Sequence, residues 1–414
     1  MRRVPLTLAL LFGCGVLLGG CTGNVSDGSG QSSAPQSSHA VQQTDDTAGD
    51  TQATQTPDEQ IDALLAGMTL REKIGQMFFV RPDALDPEQS QDQINDADAA
   101  GVTALTDAMR QQLEQYPVGG VVLFGKNLTD PQQLVAFTTE LHEAGETPML
   151  IAVDEEGGTV ARLADHPGFD EVPDFPDAEK VGEGGTDAAY EMGNTIGGYL
   201  AGYDIDLDFA PVADVNTNPD NTVIGARAFS HDPQQAAELV AAAVQGFHDG
   251  GVLCCIKHYP GHGDTAEDSH KDLAVTQKSW QELLSCELVP FAAGIDAEAD
   301  LVMAGHIAAP EVTGDDTPAS LSPQLMQMLR EELGFAGVIV TDSLAMEGIT
   351  KQYTAAQAAV QAVQAGADIL LMPNGLAEAF DALVAAVEDG TIPESRIDES
   401  AARVLALKAH SGLI

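Results

Sequence analysis

Eight short apolar runs recur along this chain, and the stretches between them have helical periodicity. The runs are Gln76–Val80, Gly120–Phe124, Met149–Val153, Leu207–Val212, Val252–Ile256, Leu301–Ala304, Val338–Val340 and Ile369–Met372. Amphipathic stretches such as Pro131–Ala144, Thr186–Ala201, Pro233–Asp249, Gln324–Leu333 and Ala355–Ala365 lie between them. Continuous apolar strands alternating with one-faced helices specify a parallel sheet covered on both sides. Eight such units in about 350 residues fit one (β/α)8 barrel of the TIM type, an α/β fold. An open doubly wound sheet is the competing arrangement. No phosphate-binding glycine fingerprint follows the first strand, which weakens a nucleotide-binding reading. The segment 82–116 is long for a connection between strands and reads as a helical insertion near the barrel mouth.

The N-terminus has a different character. Met1-Arg2-Arg3 precedes an apolar run from Val4 to Leu18, the pattern of a secretory signal and too short to indicate a membrane span. Leu18-Gly19-Gly20-Cys21 looks like a bacterial lipobox, in which Cys21 carries the lipid after cleavage. The expected order is a signal peptide over 1–20, a Ser/Thr/Gln/Asp-rich disordered tether over 21–57 and the barrel over 58–414, anchored outside the cytoplasm by lipidated Cys21. The chain carries 64 acidic residues against 18 Lys plus Arg, a net charge of −46. That balance excludes a nucleic-acid partner, and it excludes electrostatic adhesion to anionic lipid, leaving the lipid anchor as the one membrane contact. Adjacent Cys254 and Cys255 should face opposite sides of a strand; Cys286 could enter a disulfide, although free thiols are expected. The spacing of the cysteines suggests no metal site.

In a barrel, chemistry collects at the C-terminal ends of the strands. Asp154, Glu155 and Glu156 follow the third run, with Arg162 shortly after; Asp214 and later Arg227 follow the fourth. Lys257 and His258 follow the fifth and open a Gly/Pro-interrupted loop, Lys257 to His270, that holds three of the ten histidines. Gly305 and His306 follow the sixth, and Asp342 follows the seventh. So few basic residues at one end of so many strands of an acidic chain mark a site rather than solvated loop ends. Asp342 could attack an electrophilic carbon from the barrel floor, or merely cap the next helix. Asp268 and His270, two apart, could act as a general acid/base dyad, or only fix the turn. His258, His262 and His270 could hold a metal, but Pro260 and Gly261 break the helix that an i, i+4 pair needs, so neither metal nor cofactor is expected.

Taken together, the motifs resemble the bacterial β-N-acetylglucosaminidases of glycoside hydrolase family 3. The resemblance rests on Lys257-His258-Tyr259-Pro260-Gly261-His262-Gly263-Asp264-Thr265 with Asp268-Ser269-His270. Asp154-Glu155-Glu156-Gly157-Gly158, Ala210-Pro211-Val212-Ala213-Asp214-Val215, Gly225-Ala226-Arg227 and Thr341-Asp342-Ser343 support it. It spans about residues 58–408. It implies that Asp342 is the nucleophile, His270 the acid/base and Asp268 its partner. It also implies that Asp154, Arg162, Arg227, Lys257 and His258 bind the sugar. Thr159 departs from the family pattern, in which an arginine is common. The implied reaction is retaining, exo-acting release of terminal N-acetylglucosamine from glycans or peptidoglycan fragments through a glycosyl-aspartate. A β-glucosidase, a β-xylosidase or an N-acetylglucosaminide phosphorylase could be built on the same fold. A sugar-binding lipoprotein without catalysis is the reading from a different class.

Overall fold

The computed structural model describes residues 56–265 and 273–414. Ten strands occur among them. In chain order they are β1 Phe78–Val80, β2 Gly120–Leu123, β3 Leu150–Val153, β4 Leu207–Asp208, β5 Leu253–Tyr259, β6 Ala274–Val275, β7 Leu301–Ala304, β8 Ile307–Ala308, β9 Val338–Thr341 and β10 Leu370–Leu371. Eight form one parallel sheet in the order β10-β1-β2-β3-β4-β5-β7-β9. A parallel bridge between Val340 and Ile369 joins β9 to β10 and closes the ring. The barrel expected from the alternating runs is therefore observed, and the open sheet is excluded.

Alternation along each strand builds two apolar layers. Leu253 and Cys255 of β5, Leu301 and Met303 of β7, and Val338 and Val340 of β9 fill the barrel interior with Phe79, Val122 and Phe209. Cys254, Ile256, Val302 and Ile339 face the surrounding helices. The adjacent cysteines thus diverge as a period of two requires. All three described cysteines are free; Cys286, unlike the other two, is partly exposed.

Element ends differ from the sequence reading where a local signal outweighs hydrophobicity. Gln76 ends the helix Leu70–Gln76 instead of starting β1, because Thr69 and Glu72 form a capping box that fixes that helix. β4 stops at Asp208, well before Val212, which keeps a single bridge to Lys257. β5 runs on to Tyr259, so Lys257 and His258 belong to a strand and not to the loop after it. Within 82–116 lie a 3-10 turn at Pro82–Leu85 and helices Gln91–Asn95 and Asp107–Gln115. Buried Asp83 accepts from Val102 N and Asn127 Nδ2, which pins the insertion to the end of β2.

One polar device recurs at the opposite, N-terminal end of the barrel. Asp206, Asp300 and Asp368 each lie just before a strand and accept a backbone N–H from the neighbouring strand, at Ile151, Cys254 and Ile339. Each also meets a base from the last turn of a helix or the residue ending it: His142 at 2.9 Å, His248 at 2.8 Å and Arg330 at 2.5 Å. The C-terminal helix Glu394–His410 covers this end with Val404 and Leu407. It also buries Lys408, whose Nζ donates to Gln76 Oε1 at 2.5 Å. Burial pushes that ammonium down to about 7. The unfolded lysine keeps its proton to about pH 10.4, so this penalty is greatest below pH 7 and fades as pH rises. Lys408→Met should raise stability at neutral pH by ~1–3 kcal/mol in urea melts, and by less near pH 10.

Candidate active site

The inward alternation of β5 reaches Lys257 at the top of the barrel, after Leu253 and Cys255. A lysine buried there must be paired. Its Nζ lies 2.8 Å from Asp154 Oδ1 and 2.6 Å from Glu156 Oε1. Arg227 grips the same Glu156 as a fork, Nε to Oε2 at 2.8 Å and Nη2 to Oε1 at 2.7 Å. Arg162 Nη2 stands 3.7 Å from Asp154 Oδ2. Burial pushes both carboxyls up, but the cations win: Lys257 and Arg162 hold Asp154 below the usual range, and Arg227 and Lys257 hold Glu156 far below it. Burial opposes the charge on Lys257 as well, yet Asp154 and Glu156 raise its pKa above the ordinary lysine value. The result is a desolvated, fully charged knot aimed at the barrel mouth.

Glu155 faces away from the knot and shapes the loop. Its oxygens accept the backbone N–H groups of Arg162, Leu163 and Ala164 and the Tyr199 hydroxyl. This fixes where Arg162 leaves the backbone. Arg162 and Arg81 both stack on Phe124 at the end of β2, at 5.3 and 4.6 Å from the ring centre. They line a cavity of about 340 Å³ walled on one side by Ile94–Ala97 of the insertion.

His258 is held by Asp214, whose Oδ2 lies 2.8 Å from Nδ1. The other oxygen of Asp214 accepts His262 N at 2.6 Å, so one buried carboxylate orients the histidine and starts the loop behind it. Burial lowers the pKa of His262, which leaves it neutral, and Thr265 Oγ1 lies 2.6 Å from its Nδ1. Asp342 follows β9, with its N–H bonded to Ala304 O of β7. It lies close enough to His262 to act on it electrostatically. Buried His306 bridges Ser320 Oγ and Ser343 O, both at 2.8 Å, and so fixes the turn that presents Asp342.

The expected dyad residues Asp268 and His270 lie outside the described residues. The stems on either side are built firmly. Asn221 Nδ2 donates to His262 O at 2.7 Å, and Asn218 Nδ2 donates to Thr265 O at 3.2 Å. A side chain at Gly263 would put its Cβ 1.9 Å from Val215 O, so only glycine lets the loop dock this closely. The returning stem is β6, paired with β8 directly after His306. Asp264 ties the stems together, accepting from Thr276 Oγ1 at 3.1 Å and facing Lys278 Nζ at 3.4 Å.

A model of the glycosyl hydrolase family 3 N-terminal domain matches residues 69–407. The chain belongs to glycoside hydrolase family 3. The family 3 barrel is 40% identical over 276 residues to a protein from Tolumonas auensis named β-hexosaminidase, covering 66% of this chain and 81% of that one. Among solved structures it resembles a family 3 β-N-acetylglucosaminidase from Paenibacillus sp. FPU-7, with TM-score 0.75 and 38% identity over 84% of this chain and 63% of the other. A family 3 glycosyl hydrolase from Mycobacterium smegmatis matches with TM-score 0.70 and 30% identity, over 83% of this chain and 98% of that one. This chain therefore spans less than two thirds of the Paenibacillus protein.

The structure brings Asp154, Arg162, Arg227, Lys257 and His258 of this family 3 hydrolase onto one mouth, with Asp342 two strands from Lys257. Glu156 and Asp214 are structural centres to which the sequence pattern alone assigns no role. A signal for Glu156 existed: a carboxylate at a strand end beside scarce cations needs one of them as partner. His306 marks the end of the sixth run, but its role is not readable there, because both of its partners come from distant segments.

Proposed function

We propose that this family 3 hydrolase is a retaining, exo-acting β-N-acetylhexosaminidase that releases terminal N-acetylglucosamine from glycans or peptidoglycan fragments. The observation that carries the reading is the charged knot on the same barrel mouth as Asp342. Asp154, kept ionised, can accept from two ring hydroxyls, while Lys257, Arg162 and His258 offer donors to hydroxyls and to the N-acetyl carbonyl. The names of the relatives agree.

In the proposed cycle, Asp342 attacks the anomeric carbon as His270, oriented by Asp268, gives its proton to the departing glycosidic oxygen. A glycosyl-aspartate results. Water then loses a proton to His270, attacks the same carbon and frees Asp342, with net retention. His270→Ala should slow hydrolysis of unactivated glycosides by about 10²–10⁴-fold and that of nitrophenyl glycosides far less. Equal losses on both would remove His270 from the acid role.

The deciding assay offers the full chain a panel of nitrophenyl glycosides. N-acetyl-β-glucosaminide should be the preferred substrate; preference for the β-glucoside or β-xyloside would overturn the assignment. Sugar 1-phosphate formed on adding phosphate would make the chain a phosphorylase instead. The signal and tether composition also supports a lipoprotein anchored to the cell membrane through Cys21. Cys21→Ala should move the protein from the membrane fraction to the soluble one. Among the described residues, no helix is long and apolar enough to cross a membrane.

A further inference from the structure

The three aspartates at the N-terminal end of the barrel share one geometry, but their surroundings differ. Beside Asp206 and Asp368, the strand residue whose N–H is accepted is isoleucine, Ile151 or Ile339. Beside Asp300 it is Cys254. The Cys254 Sγ stands 3.6 Å from His248 Nε2, which is itself 2.8 Å from Asp300 Oδ2. One ligand atom from each of the three residues lies within 4.8 Å of the others. His410 arrives from the C-terminal helix, with Nδ1 3.2 Å from Asp300 Oδ1. The rings of His248 and His410 are 6.4 Å apart. His248 and His410 line a cavity of about 410 Å³ that provides an entry route.

We propose that Cys254, His248, Asp300 and His410 form a metal site for a tetrahedral, borderline-soft divalent cation of the zinc type. One thiolate, two imidazoles and one carboxylate make the donor set that such an ion takes. The Cys254–His248, His248–Asp300 and His410–Asp300 separations are near those around a tetrahedral ion, and exposed His410 is the ligand that must turn to complete the set. The Cys254 thiol must lose its proton to the solvent as the metal enters. Only His248 and Cys254 are near each other in the chain, and Asp300 and His410 come from distant segments, so no metal-type spacing in the sequence announces the set. Bound metal would fasten the C-terminal helix to β5 and to the start of β7, on the side of the barrel opposite the catalytic mouth.

The test uses the full chain, stripped with chelator and titrated with Co²⁺. The expected result is one Co²⁺ per chain, with visible bands of tetrahedral geometry and a near-ultraviolet thiolate charge-transfer band, both abolished by added Zn²⁺. The charge-transfer band separates this site from Co²⁺ held loosely by the acidic surface. Cys254→Val keeps the apolar packing and should eliminate the band, with hydrolysis of the aryl glycoside unchanged. His410→Ala should weaken binding on the order of tenfold or more. No charge-transfer band on the parent chain, or a band that persists in Cys254→Val, would overturn the proposal.

Discussion

Asp342→Ala should reduce hydrolysis of an aryl N-acetyl-β-glucosaminide on the order of 10⁴-fold or more, the largest effect expected of any single change. The backbone at this position is determined by neighbours and not by the carboxylate. Its N–H is bonded to Ala304 O, and the following turn is held by His306. The variant should therefore fold normally, with a melting temperature close to that of the parent. Without a nucleophile, one face of the anomeric carbon is open to a small external anion. Added azide should restore part of the turnover and yield the inverted, α-configured glycosyl azide, identified by NMR. With the parent enzyme, a 2-fluoro sugar should leave a covalent mass increment on the peptide containing Asp342. Turnover by the alanine variant near the parental rate would require another nucleophile.

Lys257→Met should be the most damaging substitution for stability. It leaves the carboxylates of Asp154 and Glu156 in a site that gives them little water. Arg227 still covers Glu156, but Asp154 keeps only Arg162 at 3.7 Å. Removing one partner of a buried pair typically costs ~3–5 kcal/mol. The pH dependence has a defined sign. Both carboxyls titrate lower in the folded chain than in the unfolded one, so their contribution is complete above the unfolded value, about pH 4. It is lost as pH falls below that value. Denaturant melts should show a steep acid slope in the parent and a shallower one in Lys257→Met. Activity should fall with stability, through KM as well as kcat, because the same ammonium is proposed to meet the sugar. A variant as stable as the parent at pH 7 would contradict the charged-knot account.

Most of this architecture was legible before any coordinates. The eight runs that become barrel strands are buried on both faces, so apolar character alone located them. Their ends were less legible. β5 gains three residues beyond its predicted end, Lys257 to Tyr259, across one irregular register against β7. Hydrophobicity could not show this, since Lys257 and His258 are the residues that make the strand look finished. The candidates Asp154, Arg162, Arg227, Lys257 and His258 stand out in the sequence because cations are scarce here and strand ends are where side chains meet. His306 stood out as a polar residue at a strand end, but its role of holding the turn through Ser320 and Ser343 was invisible. Its partners lie 14 and 37 positions away, and hydrogen bonds across such separations leave no local pattern.

The clamp between Asp264 and the Thr276–Lys278 stem gives the enzyme a division of labour that engineers could use. The groups proposed to grip the non-reducing sugar sit on β5 or on braced loops at the strand ends, whereas the stems at 265 and 273 that flank residues 266 to 272 are tied to each other by Asp264. That segment can be exchanged for one from another family 3 chain as a cassette. The swap should retune which aglycones are accepted and leave recognition of the terminal sugar as it was.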